Sequence, residues 1–191
     1  MENLRQAFCF GGVLSPDEIA YITGHFAMQP FRAGEHFLAP GELSNRLGFV
    51  SAGVCRRYLV GPEPEDEATT CFLRPNQFIL DLESFSSNQP THSGIQALTA
   101  CELLLIERRP WQQLMEEIPK LFILSKLLTE VALLNTLKDN DFLHFGTAKQ
   151  KYQEFIKRYP DLILSIPQHY IASYLRITPQ SLSRIRKTEL R

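Results

Sequence analysis

The feature that most constrains this chain is a change in the period of its apolar residues. From Phe31 to about Arg109 they come in short runs: Phe37-Leu38 before Pro40-Gly41, Leu47-Gly48-Phe49-Val50, Val54 to Val60, Thr69 to Leu73, Phe78 to Leu80 and Ile95 to Ile106. Gly34, Gly41, Gly53, Gly61-Pro62, Pro75-Asn76 and Pro90 punctuate the runs. Many short strands at this spacing predict an antiparallel sandwich or barrel. The acidic stretch Glu63, Glu65, Asp66, Glu67 reads as a solvated hairpin tip between two of them.

Outside that window the period is helical. Ser15-Pro16-Asp17-Glu18 combines an N-cap, a first-turn proline and a glutamate three residues after the cap, so a helix is expected to run to about His25. A short helix from Pro110 to Glu117 precedes a longer one that restarts at Pro119 and reaches about Phe142. The longer segment is apolar on more than one face: Leu124, Leu128 and Val131 form one stripe, and Leu127, Leu134 and Leu137 another. A helix apolar nearly all round needs two partners. The chain's own β-domain and the same helix of a second subunit would supply them, whereas a single buried core helix leaves too little chain to wrap it. The expected dimer contacts are Leu124, Leu127, Leu128, Val131 and Leu134. Gly146-Thr147 then breaks the pattern, and Thr147 caps a helix from Ala148 to about Tyr159.

Charge changes sign at that break. Residues 147–191 hold nine Lys/Arg against three acids, leaving eleven against eighteen in residues 1–146, so an overall charge of −1 conceals +6 beside −7. Such asymmetry suggests a basic module with an anionic partner, although a solvated basic surface would look the same by charge alone. The four cysteines, Cys9, Cys55, Cys71 and Cys101, show neither a CxxC pair nor zinc-site or iron–sulfur spacing. Cys55, Cys71 and Cys101 sit in apolar, strand-like stretches where a free buried thiol is the default, and a reduced cytoplasm fits. No signal peptide and no apolar run of membrane-spanning length stand out. Neither a metal site nor a cofactor is expected.

Within the basic segment, Pro167 opens a helix with Ile171, Ala172 and Leu175 on one face. A turn at Arg176-Ile177 follows, and Thr178-Pro179 cap and open a second helix. Small Ala172 lets two helices cross closely, while Ile171, Leu175, Ile177, Leu182 and Ile185 form a small core. At ~100° per residue, Gln180, Ser181, Arg184 and Lys187 share the face opposite Leu182 and Ile185. That is a helix-turn-helix with its outer face offered to the DNA major groove. Arg184 suits guanine, Gln180 adenine, and Ser181 either a base or a phosphate. Lys149, Lys151, Arg186 and Lys187 are assigned to backbone phosphates. Arg176 stands where glycine is commonest, since the turn usually needs positive φ. With Arg191 as the last residue, little chain follows for wing strands.

Taken in order, these segments resemble the Crp/Fnr superfamily of bacterial regulators. Phe31-Arg-Ala-Gly-Glu-His-Phe-Leu-Ala-Pro-Gly41 is similar to the opening of a cyclic-nucleotide-binding-like β-roll. Phe49-Val-Ser-Ala-Gly53 with Val54 to Leu59 is similar to its next strand pair, and Ile95 to Ala100 with Glu102 to Glu107 to the strands before the dimer helix. Pro179-Gln-Ser-Leu-Ser-Arg184 resembles the recognition helix. The resemblance implies an α+β fold in three parts: an antiparallel β-roll (double-stranded β-helix), residues 1–118; a long dimerisation helix and hinge, 119–145; and a C-terminal winged or helix-turn-helix DNA-binding domain, 146–191. It implies a homodimer on double-stranded DNA, with RNA polymerase and a small-molecule effector as further partners. In cyclic-nucleotide binders of this fold a Gly-Glu pair, a short helix and an Arg-Ser/Thr-Ala segment cradle the ligand. Here the corresponding stretches, 75–85 and 89–94, contain no Gly-Glu pair and no arginine beside Ser93. Asp81, Glu83, His92 and Ser93 are the pocket candidates, and cyclic AMP is not the expected effector. Two alternatives belong to other classes. A cupin-like metal enzyme would need clustered ligands, whereas the five histidines are isolated. An adaptor would use its C-terminal module for protein contacts.

Overall fold

The computed structural model describes residues 1–63 and 66–189, so Glu65 of the acidic stretch and Arg191 lie outside the described residues. The chain begins with a helix the hydrophobic pattern did not reveal, α1 (Glu2–Phe8), whose Leu4 and Phe8 are buried. Helix α2 (Pro16–Gly24) carries the expected capping box: Ser15 Oγ accepts from the Glu18 amide, and the Glu18 carboxylate accepts from the Ser15 amide.

Eight strands follow among the described residues: β1 (Ala27–Phe31), β2 (His36–Leu38), β3 (Arg46–Ala52), β4 (Cys55–Val60), β5 (Glu67–Leu73), β6 (Phe78–Ile79), β7 (Ser93–Ala97) and β8 (Cys101–Glu107). They form two antiparallel sheets, in the orders β1-β8-β3-β6 and β2-β7-β4-β5. Phe31, Phe37, Val50, Cys55, Ile95 and Leu103 fill the space between the sheets. The run Ile95–Ile106 proves to be two strands, because residues 98–100 turn the chain from one sheet to the other. Glu67 is corrected likewise: it starts β5, where its carboxylate pairs with buried Arg56, and so is not part of a solvated tip.

A short helix, α3 (Leu82–Ser87), lies between β6 and β7. After the roll come α4 (Arg108–Glu117) and α5 (Lys120–Phe145). Leu114, Leu121 and Leu124 pack with Leu4, Phe8, Ile22 and Phe49 into a core that ties α5 to the N-terminal helices. Gly146 ends α5, and α6 (Ala148–Arg158) starts on a second capping box, with Thr147 Oγ1 accepting from the Gln150 amide. Next comes α7 (Leu162–Ser165), which is too short to show a period in the sequence, then α8 (Gln168–Leu175) and α9 (Pro179–Glu189). No strand follows α9 among the described residues. Among the described residues no helix is long and apolar enough to cross a membrane.

The C-terminal helices do not complete a core alone. Phe155, Leu162, Ile171, Tyr174, Leu175 and Leu182 cluster together with Val54 and with Phe72 of β5. The Phe72 ring meets Phe155 at 6.0 Å and Tyr174 at 5.2 Å between centroids. The Thr69 amide of β5, an edge strand of its sheet, donates to Ser173 Oγ on α8 at 2.9 Å. An open edge amide is thereby satisfied by the helix that covers it. Arg56 is sandwiched between the Tyr58 and Tyr170 rings, 4.1 Å from each centroid. Arg74 reaches Asp161 at 3.0 Å.

Candidate nucleic-acid interface

The geometry of the α8–α9 pair starts with the turn between them. Arg176 takes a left-handed conformation, φ 56° and ψ 45°. Its amide donates to the Ser173 carbonyl, and the Ile177 amide donates to the Ala172 carbonyl, each at 3.0 Å. This crossed pair is a Schellman closure, which satisfies carbonyls the end of α8 would otherwise orphan. Arginine therefore adopts the positive φ usually reserved for glycine, at a cost of about 1 kcal/mol.

Thr178 then caps α9, its Oγ1 accepting from the Ser181 amide at 3.2 Å. The same hydroxyl donates to Ser181 Oγ at 2.9 Å, which leaves the Ser181 proton available to an outside acceptor. Leu182 is 1% exposed, and Ile185 is half-buried against the same core. Gln180, Arg184 and Lys187 are exposed and Ser181 is half-buried, so the polar face points outward.

Lys149, near the start of α6, converges with Ser181, Arg184, Ile185 and Thr188 on a shallow groove of about 310 Å³. Distant parts of the chain thus place a lysine beside the base-reading candidates. Lys151 is half-buried beside Gly146. Arg186, also assigned to a phosphate, is half-buried, and its Nη1 is enclosed without a hydrogen-bond partner.

The α5 residues divide by depth. Leu124 is fully buried against the N-terminal core, so it is not free to serve as the dimer contact expected of it. Leu128 is partly buried against that same core, and Leu127 is half-buried. Val131, Leu134 and Leu137 are exposed, together with Phe122, Ile123 and Leu133, which lie outside both apolar stripes.

Of the pocket candidates, the structure brings two together and leaves two apart. Asp81 is buried, and one carboxylate oxygen accepts from Ser93 Oγ at 2.5 Å, Thr91 Oγ1 at 3.0 Å and Arg57 Nη2 at 2.8 Å. The other accepts from the Ser84 amide at 2.9 Å, capping α3. Burial pushes this carboxyl up, but the Ser93 hydroxyl, the Ser84 amide, Arg57 and Thr91 together outweigh it and hold the group below its ordinary value. Glu83 and His92 are exposed and take no part in the cluster. Arg57 and Thr91 were missed because they come from β4 and from the loop before β7. The arginine absent beside Ser93 in the sequence is thus supplied by another strand, and it is engaged by Asp81.

Among the described residues no group of three or more His, Cys, Asp or Glu side chains is placed to hold a metal ion. Residues 28–118 match the cyclic nucleotide-binding domain family. No curated protein matches the chain in sequence. Several solved structures share its fold. CLP, a c-di-GMP-responsive global regulator of Xanthomonas campestris, is 14% identical over 92% of each chain, with a TM-score of 0.74. FixK2 of Bradyrhizobium japonicum is 17% identical over 85% of this chain and 83% of its own, with a TM-score of 0.72. The catabolite activator protein of Thermus thermophilus is 19% identical over 95% and 85%, with a TM-score of 0.59. A cyclic nucleotide-binding-type β-roll followed by a long helix and a compact C-terminal helical set is the Crp/Fnr-type fold, and this chain has it.

Proposed function

We propose that this chain is a sequence-specific DNA-binding transcription regulator that acts in the cytoplasm as a homodimer and is not an enzyme. The observation that carries this reading is the exposed polar face of α9: Gln180, Arg184 and Lys187 stand in solvent while Leu182 is buried beneath them. α8 and α9 act as a helix-turn-helix, with α9 entering the major groove. Arg184 pairs with guanine, Gln180 with adenine, and Ser181 serves a base or a phosphate. Lys149, Lys151 and Lys187 hold phosphates and fix register. The exposed apolar face of α5, with Val131, Leu134 and Leu137, meets its copy in a second subunit. Two recognition helices then lie about one helical turn (~34 Å) apart and read a pseudo-palindrome.

Cyclic AMP is not the effector in this reading. Asp81 already occupies Arg57, Ser93 and Thr91 with the chain's own negative charge. The test is selection from a random duplex pool with wild type and Arg184→Ala. A two-fold-symmetric motif enriched by wild type and lost in the variant is the expected result. Equal, sequence-independent retention of DNA by both proteins would leave a basic surface and no more. A second prediction follows for salt: affinity falls steeply between 50 and 200 mM, by roughly tenfold or more per few phosphate contacts.

A further inference from the structure

Cys55 and Cys101 are separated by 46 positions in sequence and lie in different sheets, yet their sulfurs stand 3.7 Å apart. Both side chains are buried at one end of the roll. Cys101 directly follows the turn at residues 98–100, whose Ala100 is exposed, while Cys101 itself is 2% and Cys55 0% exposed. Gly53 has φ +85°, and a Cβ there would overlap the Ala100 carbonyl and the Cys101 sulfur. Its lack of a side chain is what lets the two turns close over the thiols.

The surroundings of the pair lead straight to the C-terminal helices. The Cys101 thiol contacts the Val54 carbonyl at 3.4 Å, the same carbonyl that accepts from the Leu98 amide at 2.8 Å. Val54 also donates its amide to Thr99 Oγ1 at 3.0 Å. The Val54 side chain packs into the cluster of Phe72, Phe155 and Tyr174 that α8 and α9 complete. Movement of either sulfur therefore acts on the wall against which those helices rest.

We propose that Cys55 and Cys101 form a reversible dithiol–disulfide site, oxidised by small hydroperoxides, whose state sets the packing of the C-terminal helices. In the first step the Cys101 sulfur attacks a peroxide oxygen. The O–O bond breaks, and with hydrogen peroxide one water leaves, giving a sulfenic acid at Cys101. The Cys55 sulfur then attacks the Cys101 sulfur; the S–O bond breaks, and hydroxide leaves with the Cys55 proton as a second water. Two thiols have lost two electrons, and one peroxide has become two waters. A dithiol reductant reverses the bond by exchange. The thiol–thiol hydrogen bond holds Cys101 below its ordinary pKa and, with burial, Cys55 above it, which makes Cys101 the attacking sulfur. Closing 3.7 Å to the ~2.05 Å of a disulfide shifts the sulfurs and so changes the 3.4 Å contact between Cys101 and the Val54 carbonyl.

The experiment uses the full chain carrying Cys9→Ser and Cys71→Ser, treated with hydrogen peroxide at a dose that oxidises exposed Cys9 in wild type. A mass loss of about 2 Da, reversed by dithiothreitol, is expected. It is accompanied by a linked Cys55–Cys101 peptide and an upward melting shift of roughly 5–10 °C. Adding Cys55→Ser abolishes all three. Hydrogen exchange in residues 168–189 changes on oxidation and returns on reduction. Cys55 and Cys101 thiols that remain fully alkylable after the treatment, or that carry only added oxygen, overturn the proposal. A disulfide that leaves exchange in α8 and α9 unchanged overturns its coupling to those helices. The consequence for DNA affinity rests on the reading of α9 as a recognition helix. Mass and exchange are read without DNA, so a failure of that reading leaves them intact.

Discussion

The sharpest test of the architecture is Phe72→Ala. Phe72 belongs to β5, yet it is 4% exposed because the rings of Phe155 and Tyr174 cover it. Burying a phenylalanine side chain contributes about 1.5–3 kcal/mol, and two ring contacts, one edge-on and one tilted, add about 1 kcal/mol. Some relaxation of the edge strand offsets part of this, so a loss of about 3 kcal/mol is expected. The loss falls on one region: the N-terminal core around Leu4, Phe49 and Leu121 does not include Phe72. Native-state hydrogen exchange reads it locally. Amides of α8 and α9 should exchange about a hundredfold faster, since 1.4 kcal/mol is a tenfold change, while β3 and β8 keep their protection. Urea unfolding followed by circular dichroism gives the total. A change below 1 kcal/mol, or unchanged exchange in α8, would refute the claim that β5 forms a wall of the C-terminal core.

Three further outcomes follow from the site geometry. Asp81→Asn removes a charge that Ser93, Ser84, Arg57 and Thr91 stabilise, and should cost about 2–4 kcal/mol in thermal or urea unfolding at pH 7. Because the folded pKa is lowered, that contribution is fully present above the unfolded value near pH 4 and disappears as pH falls through the folded one. The acid limb of the stability curve should therefore flatten in the variant. Arg176→Gly relieves a left-handed residue and should raise stability by about 0.5–1 kcal/mol, read as a higher urea midpoint; a loss would mean that the arginine side chain contributes more than the turn costs. Val131→Asp with Leu134→Asp places charge on the free face of α5 and should give monomers in sedimentation while leaving the fold's circular dichroism intact.

Much was legible in the sequence because it is written locally. Ser15 and Thr147 caps, the alternation of short runs in the roll, the Pro167 and Thr178-Pro179 helix starts and the Leu182/Ile185 face all depend on neighbours within one turn or one strand. Hydrogen-bond and burial periods act at that range, so the sequence determined the order of the longer elements, though not α1 or α7, and the outward face of α9. Tertiary structure decided what depends on elements far apart in the chain. It placed Leu124 inward while Val131 stayed free, because the N-terminal helices, α1 among them, cover only the first turns of α5. It carried Arg57 to Asp81 across 24 positions and Glu67 to Arg56 across a hairpin, turning isolated charges into satisfied pairs. It turned Arg186 partly inward and brought Lys149 to Arg184. It also set two scattered cysteines 3.7 Å apart and made Phe72 part of a helical core. Spacing along the chain has no bearing on such contacts: which sheet edge a helix covers is fixed by the burial of whole surfaces, and only the packed chain determines which surfaces meet.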